Sequence, residues 1–309
     1  MGIITQPHDK FFKETLSDLE TTKDFLQNYL PSEILSLINL DTLKTEKDTF
    51  IDEDLTENFS DLLFKANINN QESFIYFLFE HKSYISNQTP LQLLKYMIKI
   101  WETKINKEKS DKLPLIIPIV IYHGAKRWQI DEKFIKMIEG IEELPGEIIK
   151  HIPQYEYILY DLSPYGDEEI KGNTKLKIFL DILKAIFGQD QEEILEVIKK
   201  AIIASEKLER QTKGIEYFET YIRYIMNVRD DLTFEDIYQA VKDISLEGSE
   251  DIMTIAEKLI KEGMEKGRAE EKRKTVKNLL RLDFPLDKIA KATELSLDEI
   301  EKIKREIEK

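Results

Sequence analysis

A chain of 309 residues exceeds one typical domain, and 41% hydrophobic residues suffice for a sizeable buried core. It has no cysteine, which excludes a disulfide scaffold and any Cys-ligated zinc site. The formal charge of −15 argues against a broadly electropositive nucleic-acid surface. That charge is segregated, however: residues 41–57 hold seven acids against two lysines, and residues 95–112 hold six lysines against three acids. A locally basic cleft on an acidic protein is therefore compatible with the composition. The opening MGIITQPHDKFFKE lacks the basic start and the apolar run of about 7–15 residues that mark a secretory signal. No apolar run approaches the roughly 18 residues that span a bilayer, so a cytoplasmic protein without a membrane partner is expected.

In chain order, residues 8–30 place apolar side chains at helical spacing and predict two helices, broken near Ser17-Asp18 and stopped by Pro31. His8 in this stretch reads as a local cap or core contact. Residues 48–57, DTFIDEDLTE, read as a strand end and an acidic loop. Two runs rich in Phe, Leu, Ile and Tyr, about residues 59–67 and 73–82, then flank Asn69-Asn70, the pattern of a β-hairpin. Side chains alternate along a strand, so Glu80 and Lys82 project on one side and His81 on the other. With Asn69 and Asn70 as the two turn residues, Asp61 stands opposite Leu78 and Glu80 is its diagonal neighbour, roughly 7–8 Å away between backbones. A longer loop would change this register.

That juxtaposition suits one chemistry. Hydrolysis of a phosphodiester needs charge neutralisation at phosphorus and a water made nucleophilic at neutral pH, and a Mg²⁺ ion supplies both. Mg²⁺ takes oxygen ligands and keeps several waters, so Asp61 and Glu80 would suffice as protein ligands. Lys82 would stabilise the developing negative charge or position the attacking water. A hairpin with a polar rim explains the same three residues in a chain that is 34% charged.

Further on, Thr89-Pro90 offers an N-cap followed by Pro at the first helical position. The helix that follows has an apolar stripe at Leu91, Leu94, Ile98 and Trp101, expected to pack on the sheet. Residues 113–122, LPLIIPIVIY, predict a buried central strand in which Pro118 demands a bulge or an unpaired side. His123 ends that strand, where a histidine more often satisfies a backbone group than acts as a base. Lys126, Arg127 and Trp128 follow on a loop where they would either meet phosphate and a base or simply anchor the chain. Residues 155–161 predict another strand, ending in Asp161 and a Ser163-Pro164 turn. Segments near 169–187, 190–206, 214–229 and 233–243 read as amphipathic helices, and 249–282 as a solvated charged helix. The end of the chain offers two short helices, with Ser296 and Glu299 as a capping box, as a small helix-turn-helix for assembly or DNA contact.

The ordered blocks HDKFFKETLSD, IDEDLTENFSDLLFKA, FLFEHKS, TPLQLLKYMIKIW, LPLIIPIVIYHGAKRW and YILYDLSPYGDEEIKGN span nearly the whole chain. In that order they resemble the recombination-promoting nuclease/putative transposase family, a branch of the PD-(D/E)XK nuclease superfamily. The resemblance implies an α/β fold of the PD-(D/E)XK (restriction-endonuclease-like) type, a mixed sheet flanked by helices, with an α-helical C-terminal region. With the helical pattern from residue 169 onward and the charged segment from Ser249, the chain divides into a catalytic core over 1–168, a helical bundle extension over 169–248, and a charged helix with a helix-turn-helix-like tail over 249–309. The resemblance implies a metal-dependent DNA endonuclease that uses Mg²⁺, with Mn²⁺ as substitute, and has DNA as partner. Because cutting both strands conveniently takes two sites, a homodimer is expected. The catalytic positions map onto Asp61, Glu80 and Lys82, with Asp61 and Glu80 as metal ligands. Many family members carry Gln where this chain has Lys82, which favours an intact site, and Ser60 stands where the superfamily's Pro would precede Asp61. Accessory candidates are Glu14, from a helix that can lend a carboxylate, Gln92 and Lys95, from the helix over the site, and Asp161. A solvated helix face is the alternative for Glu14, a plain amphipathic helix for Gln92 and Lys95, and turn capping for Asp161.

Overall fold

Alternation along the strands decides the layers. The computed structural model describes residues 7–46, 60–69, 71–80, 87–109, 111–163, 169–188, 190–209 and 214–307. Helices α1 (Pro7–Leu16), α2 (Leu19–Tyr29) and α3 (Ser32–Leu35) precede strands β1 (Ile38–Glu46), β2 (Ser60–Ile68) and β3 (Gln71–Glu80). Helix α4 (Thr89–Glu108), strand β4 (Ile116–Tyr122), the short helix α5 (Gly146–Ile149) and strand β5 (Ile158–Asp161) follow. The five strands form one mixed sheet in the order β1-β2-β3-β4-β5. The pairs β1/β2 and β2/β3 are antiparallel, and β3/β4 and β4/β5 are parallel. The expected acidic loop at 48–57 lies outside the described residues.

The hairpin closes as its turn residues demand. Ile68 pairs with Gln71, and Asn69 takes a φ of 49°, a left-handed conformation that Asn tolerates at such turns. Edge strand β1 is bulged between Asn39 and Lys44, and the Thr42 hydroxyl accepts the Asn67 N–H at 2.8 Å inside the bulge. Central β4 keeps a regular register through Pro118, which faces Tyr76. Because the Tyr122 carbonyl points to the β5 side, alternation puts Pro118 towards that side too. Pairing with β5 begins only at Ile119, so the missing N–H falls on an unpaired stretch, as the sequence required.

One sheet face, carrying Leu62, Phe64, Ile75, Ile119, Ile121 and Tyr160, shares a single core with α1 and α2 and with a C-terminal helical layer. That layer is α6 (Thr174–Ala185), α7 (Gln191–Glu209), α8 (Gly214–Val228) and α9 (Phe234–Lys242). The core thus runs across the sequence boundary near residue 168. The other face, carrying Leu63, Phe74, Val120 and Tyr122, packs against α4 through Leu93, Tyr96, Met97 and Ile100. The expected contact stripe on α4 is corrected in part: Leu91 and Ile98 are exposed, whereas Trp101 packs against this core. This helix is apolar on two sides, and the side that is buried also carries Lys104, whose ammonium meets Glu72 at 2.6 Å and lies 5.5 Å from the Phe74 ring centroid. Beyond α9, the helix α10 (Leu246–Arg281) leads to α11 (Leu286–Thr293) and α12 (Leu297–Ile307). These three pack around a separate small core of Val276, Ile289, Ile300 and Ile303. The Ser296–Glu299 capping box forms, with Glu299 Oε2 accepting the Ser296 N–H at 2.8 Å.

Candidate active site

The antiparallel register runs from Ile68↔Gln71 to Asp61↔Leu78 and Ser60↔Phe79. Position 61 therefore stands opposite 78, and position 80 is its diagonal neighbour, the arrangement expected from the turn. The parallel pairs extend this end of the sheet: Glu80 pairs with Tyr122, and Tyr122 with Asp161. Paired residues share a face, and the positions 61, 80, 122 and 161 fall on the α4 side, with Leu63 and Phe74. All four lie where β3, β4 and β5 end. In parallel sheets ligands gather outside the carboxyl ends of the strands.

The end of α4 that begins after β3 stands at the same end. Its N-cap is Gln88, so Thr89 and Pro90 are the first two helical residues and the helix starts one position earlier than the sequence suggested. On its first turn, the Gln92 Nε2 is buried without a hydrogen-bond partner among the described residues. Lys95 is exposed. Lys82 lies outside the described residues, and among the described side chains no three His, Asp or Glu residues gather as a metal site. Glu14 sits elsewhere: α1 packs on the opposite face of the sheet, and Glu14 pairs with Lys10 at 3.5 Å.

Asp161 is engaged through both oxygens. Its Oδ2 accepts the Trp128 N–H at 3.0 Å and its Oδ1 accepts the Ser163 N–H at 2.9 Å. The first contact fixes the loop leaving β4 and the second caps the turn after β5. That loop folds back tightly over Tyr122, because a Cβ on Gly124 would lie 2.3 Å from the Tyr122 hydroxyl oxygen, a contact no side chain can make. Trp128 is an anchor and not an exposed stacking platform: its ring lies 4.8 Å from that of Tyr122, and its Nε1 donates to the Ile130 carbonyl at 3.0 Å. Burial pushes the nearby Tyr157 hydroxyl, which accepts from the same indole at 3.2 Å, far above its ordinary pKa. Lys126 and Arg127 are exposed on this loop. His123 turns to the other face, where its ring is 5.3 Å from that of His8 and 4.7 Å from that of Phe187. His8 is a core contact, its Nδ1 2.7 Å from the Tyr224 hydroxyl. The sequence reading missed Tyr122, which stands between positions 80 and 161. The parallel register that places it there depends on crossovers and not on local residues.

Residues 6–213 match the family described as "Putative transposase, YhgA-like". The chain belongs to this family. The matched region of this YhgA-like chain includes the whole sheet, α4 and the Asp161 turn. Over 295 residues it is 28% identical to "Recombination-promoting nuclease RpnA" of Escherichia coli (strain K12), covering 95% of this chain and 96% of that one. It is 25% identical to "Recombination-promoting nuclease RpnD" of Escherichia coli O157:H7, covering 82% of this chain and 94% of that one. It is equally 25% identical to "Inactive recombination-promoting nuclease-like protein RpnE" of Escherichia coli (strain K12), covering 85% and 84%. No solved structure matches the YhgA-like chain. No helix among its described residues is long and apolar enough to cross a membrane.

Proposed function

We propose that the protein is a metal-dependent DNA endonuclease of the PD-(D/E)XK type. The observation that carries this reading is the hairpin register, in which Asp61 pairs with Leu78 and Glu80 follows two residues later at the end of β3. Positions 61 and 80 share one face of the sheet, and two carboxylates there, without His or Cys, would suit a hard cation such as Mg²⁺ or Mn²⁺. The bound cation would neutralise the attacked phosphate and lower the pKa of a coordinated water. Asp61 and Glu80 would hold it, and Lys82 would orient the water or the scissile phosphate. Asp161 would fix the loop that presents Lys126 and Arg127 beside the same strand ends. The names of two relatives, both recombination-promoting nucleases, support the class of reaction.

The test is incubation of the purified protein with supercoiled plasmid in Mg²⁺ or Mn²⁺, with an EDTA control and the Glu80→Ala and Lys82→Ala variants. Nicking or linearisation that needs the metal and falls about 10³-fold in both variants is expected, the scale of several kcal/mol of lost charge stabilisation. Cleavage that survives in a folded Glu80→Ala protein sinks the site assignment. A second reading, a non-catalytic DNA-binding or assembly protein, is favoured by the 25% identity to a relative named as inactive. It predicts no cleavage by any form and no stabilisation by millimolar Mg²⁺ or Mn²⁺, whereas a cation bound only by the folded state raises stability by mass action.

A further inference from the structure

The chain carries a formal charge of −15, yet residues 266–281, the second half of α10, hold seven bases and two acids, a balance of +5. Complementing the helix dipole accounts for cations in the last turn only, and these begin about four turns before the helix ends. The same half of α10 carries α11 and α12 around a core of its own, built on Val276, Ile289, Ile300 and Ile303. A tight link joins the last two helices, with Glu294 in the left-handed conformation at a φ of 58°. Two helices joined by so short a turn form a helix-turn-helix.

Ala269 lies seven residues before Val276, about two turns, and so faces the same way, but it is exposed where Val276 is buried. A notch of about 590 Å³ opens there between α10 and α12. Apolar Ala269, Leu295 and Ile303 line it together with four cations, Arg268, Lys272 and Arg273 of α10 and Lys302 of α12. Of the three acids in its lining, Glu299 is turned to the Ser296 cap, accepting its N–H at 2.8 Å and its hydroxyl at 2.7 Å. Lys272 is held by Glu294 at 3.0 Å. Arg268 and Lys302 are exposed and make no ion pair among the described residues. In a chain with 60 acids against 45 bases, two such cations facing one notch are not left over for want of carboxylates.

The chemistry that fits is a polyanion, and the lining narrows its kind. Single strands and RNA loops are held by stacking on aromatic rings, whereas Phe284 is the only aromatic residue between positions 263 and 309. An acidic protein segment would need carboxylates spaced along the whole basic stretch, about 22 Å of helix. Duplex DNA presents one negative charge per about 1.7 Å of its length whatever its sequence. A helix-turn-helix reads bases with the start of its second helix, and here that start carries Asp298 and Glu299. The contact is therefore to phosphates and independent of sequence.

We propose that the basic half of α10, with Lys302 of α12, is a docking surface for duplex DNA that grips phosphates at the notch between Arg268 and Lys302. The proposal rests on charge and shape and not on the nuclease reading. Its test reads retention in EDTA, where metal-dependent cleavage does not run, so each can fail without the other. A labelled mixed-sequence duplex of about 30 base pairs is titrated with the full chain at about 50–200 mM KCl, the range over which phosphate contacts weaken steeply. Arg268→Gln/Lys302→Gln should bind more weakly, with a slope of log K against log[KCl] shallower by about two, one for each lost contact. Arg268→Lys/Lys302→Arg, which keeps both charges, should keep the wild-type slope. Lys23→Gln/Lys199→Gln removes the same charge from cations already paired with Glu20 and Glu196, and should also keep it. Circular dichroism and the sedimenting mass should match the wild type throughout.

A wild type that does not retain the duplex overturns the proposal, as does an unchanged slope in the Arg268→Gln/Lys302→Gln protein or an equal loss in the Lys23→Gln/Lys199→Gln one. Weaker retention that comes only with a changed mass assigns the notch to assembly and overturns it too. Tighter binding of the same sequence as single-stranded DNA or as duplex RNA overturns the choice of partner.

Discussion

Asp161, the last residue of β5, accepts the backbone N–H of Trp128 at 3.0 Å, so one carboxylate ties the β4 exit loop to the neighbouring strand. Its other oxygen takes the Ser163 N–H at 2.9 Å. Asp161→Ala leaves both donors without their acceptor in a partly buried setting, where an unsatisfied group costs about 1–3 kcal/mol. The expected result is a lower urea midpoint with an unchanged m-value. A midpoint equal to that of the wild type would show that water serves both N–H groups as well as the carboxylate does.

Asp18 links the α1/α2 junction to the helices beneath the sheet. Its carboxylate takes hydrogen bonds from Lys175, Thr21 and Tyr217. Burial alone would raise its pKa, and those three partners together hold it below the usual carboxylate range. A carboxyl depressed in the folded state adds stability above its unfolded value, about 3.9, and loses it as pH falls through the folded one. Asp18→Asn should thus cost about 1 kcal/mol at neutral pH, the scale of a charged hydrogen bond discounted for partial exposure. The deficit should shrink below about pH 4 and be lost in stronger acid. Urea unfolding of both proteins at several pH values checks it, and a constant difference would assign the loss to shape and not to charge.

What the sequence disclosed depended on how local the cause was. The hairpin register was legible because its two determinants, the Asn69-Asn70 turn and the alternation on both sides, are adjacent in the chain. The Ser296 capping box and the break at Ser17-Asp18 were legible for the same reason. The buried face of α4 was not, because Leu91, Leu94 and Ile98 offer as apolar a stripe as Leu93, Tyr96, Met97 and Ile100. Only the Glu72 partner of Lys104 and the ring of Phe74, both on β3, favour the second. Nor was the row from Glu80 through Tyr122 to Asp161 legible, since parallel neighbours meet only after long crossovers. The amphipathic pattern of α6–α9 likewise tells that each helix buries a face, without telling that Phe64 and Ile121 of the sheet belong to the same core.

Gln92 tests whether the end of α4 is shaped for stability or for a ligand. Its Nε2 is buried without a hydrogen-bond partner among the described residues, at the end of the sheet where positions 61 and 80 lie. An amide donor left without a partner costs about 1–3 kcal/mol, and replacing it with an apolar group of similar shape removes that cost. Gln92→Leu should therefore raise unfolding stability by about 1 kcal/mol. If the amide waits for a phosphate oxygen of the substrate, the same variant should cleave plasmid about tenfold more slowly in kcat/KM, the loss of one hydrogen bond to a charged acceptor. Higher stability together with lower activity marks a group kept for function at the expense of the fold. Lower stability would mean that the amide has a partner in the folded protein, and higher stability with unchanged cleavage would remove Gln92 from the site.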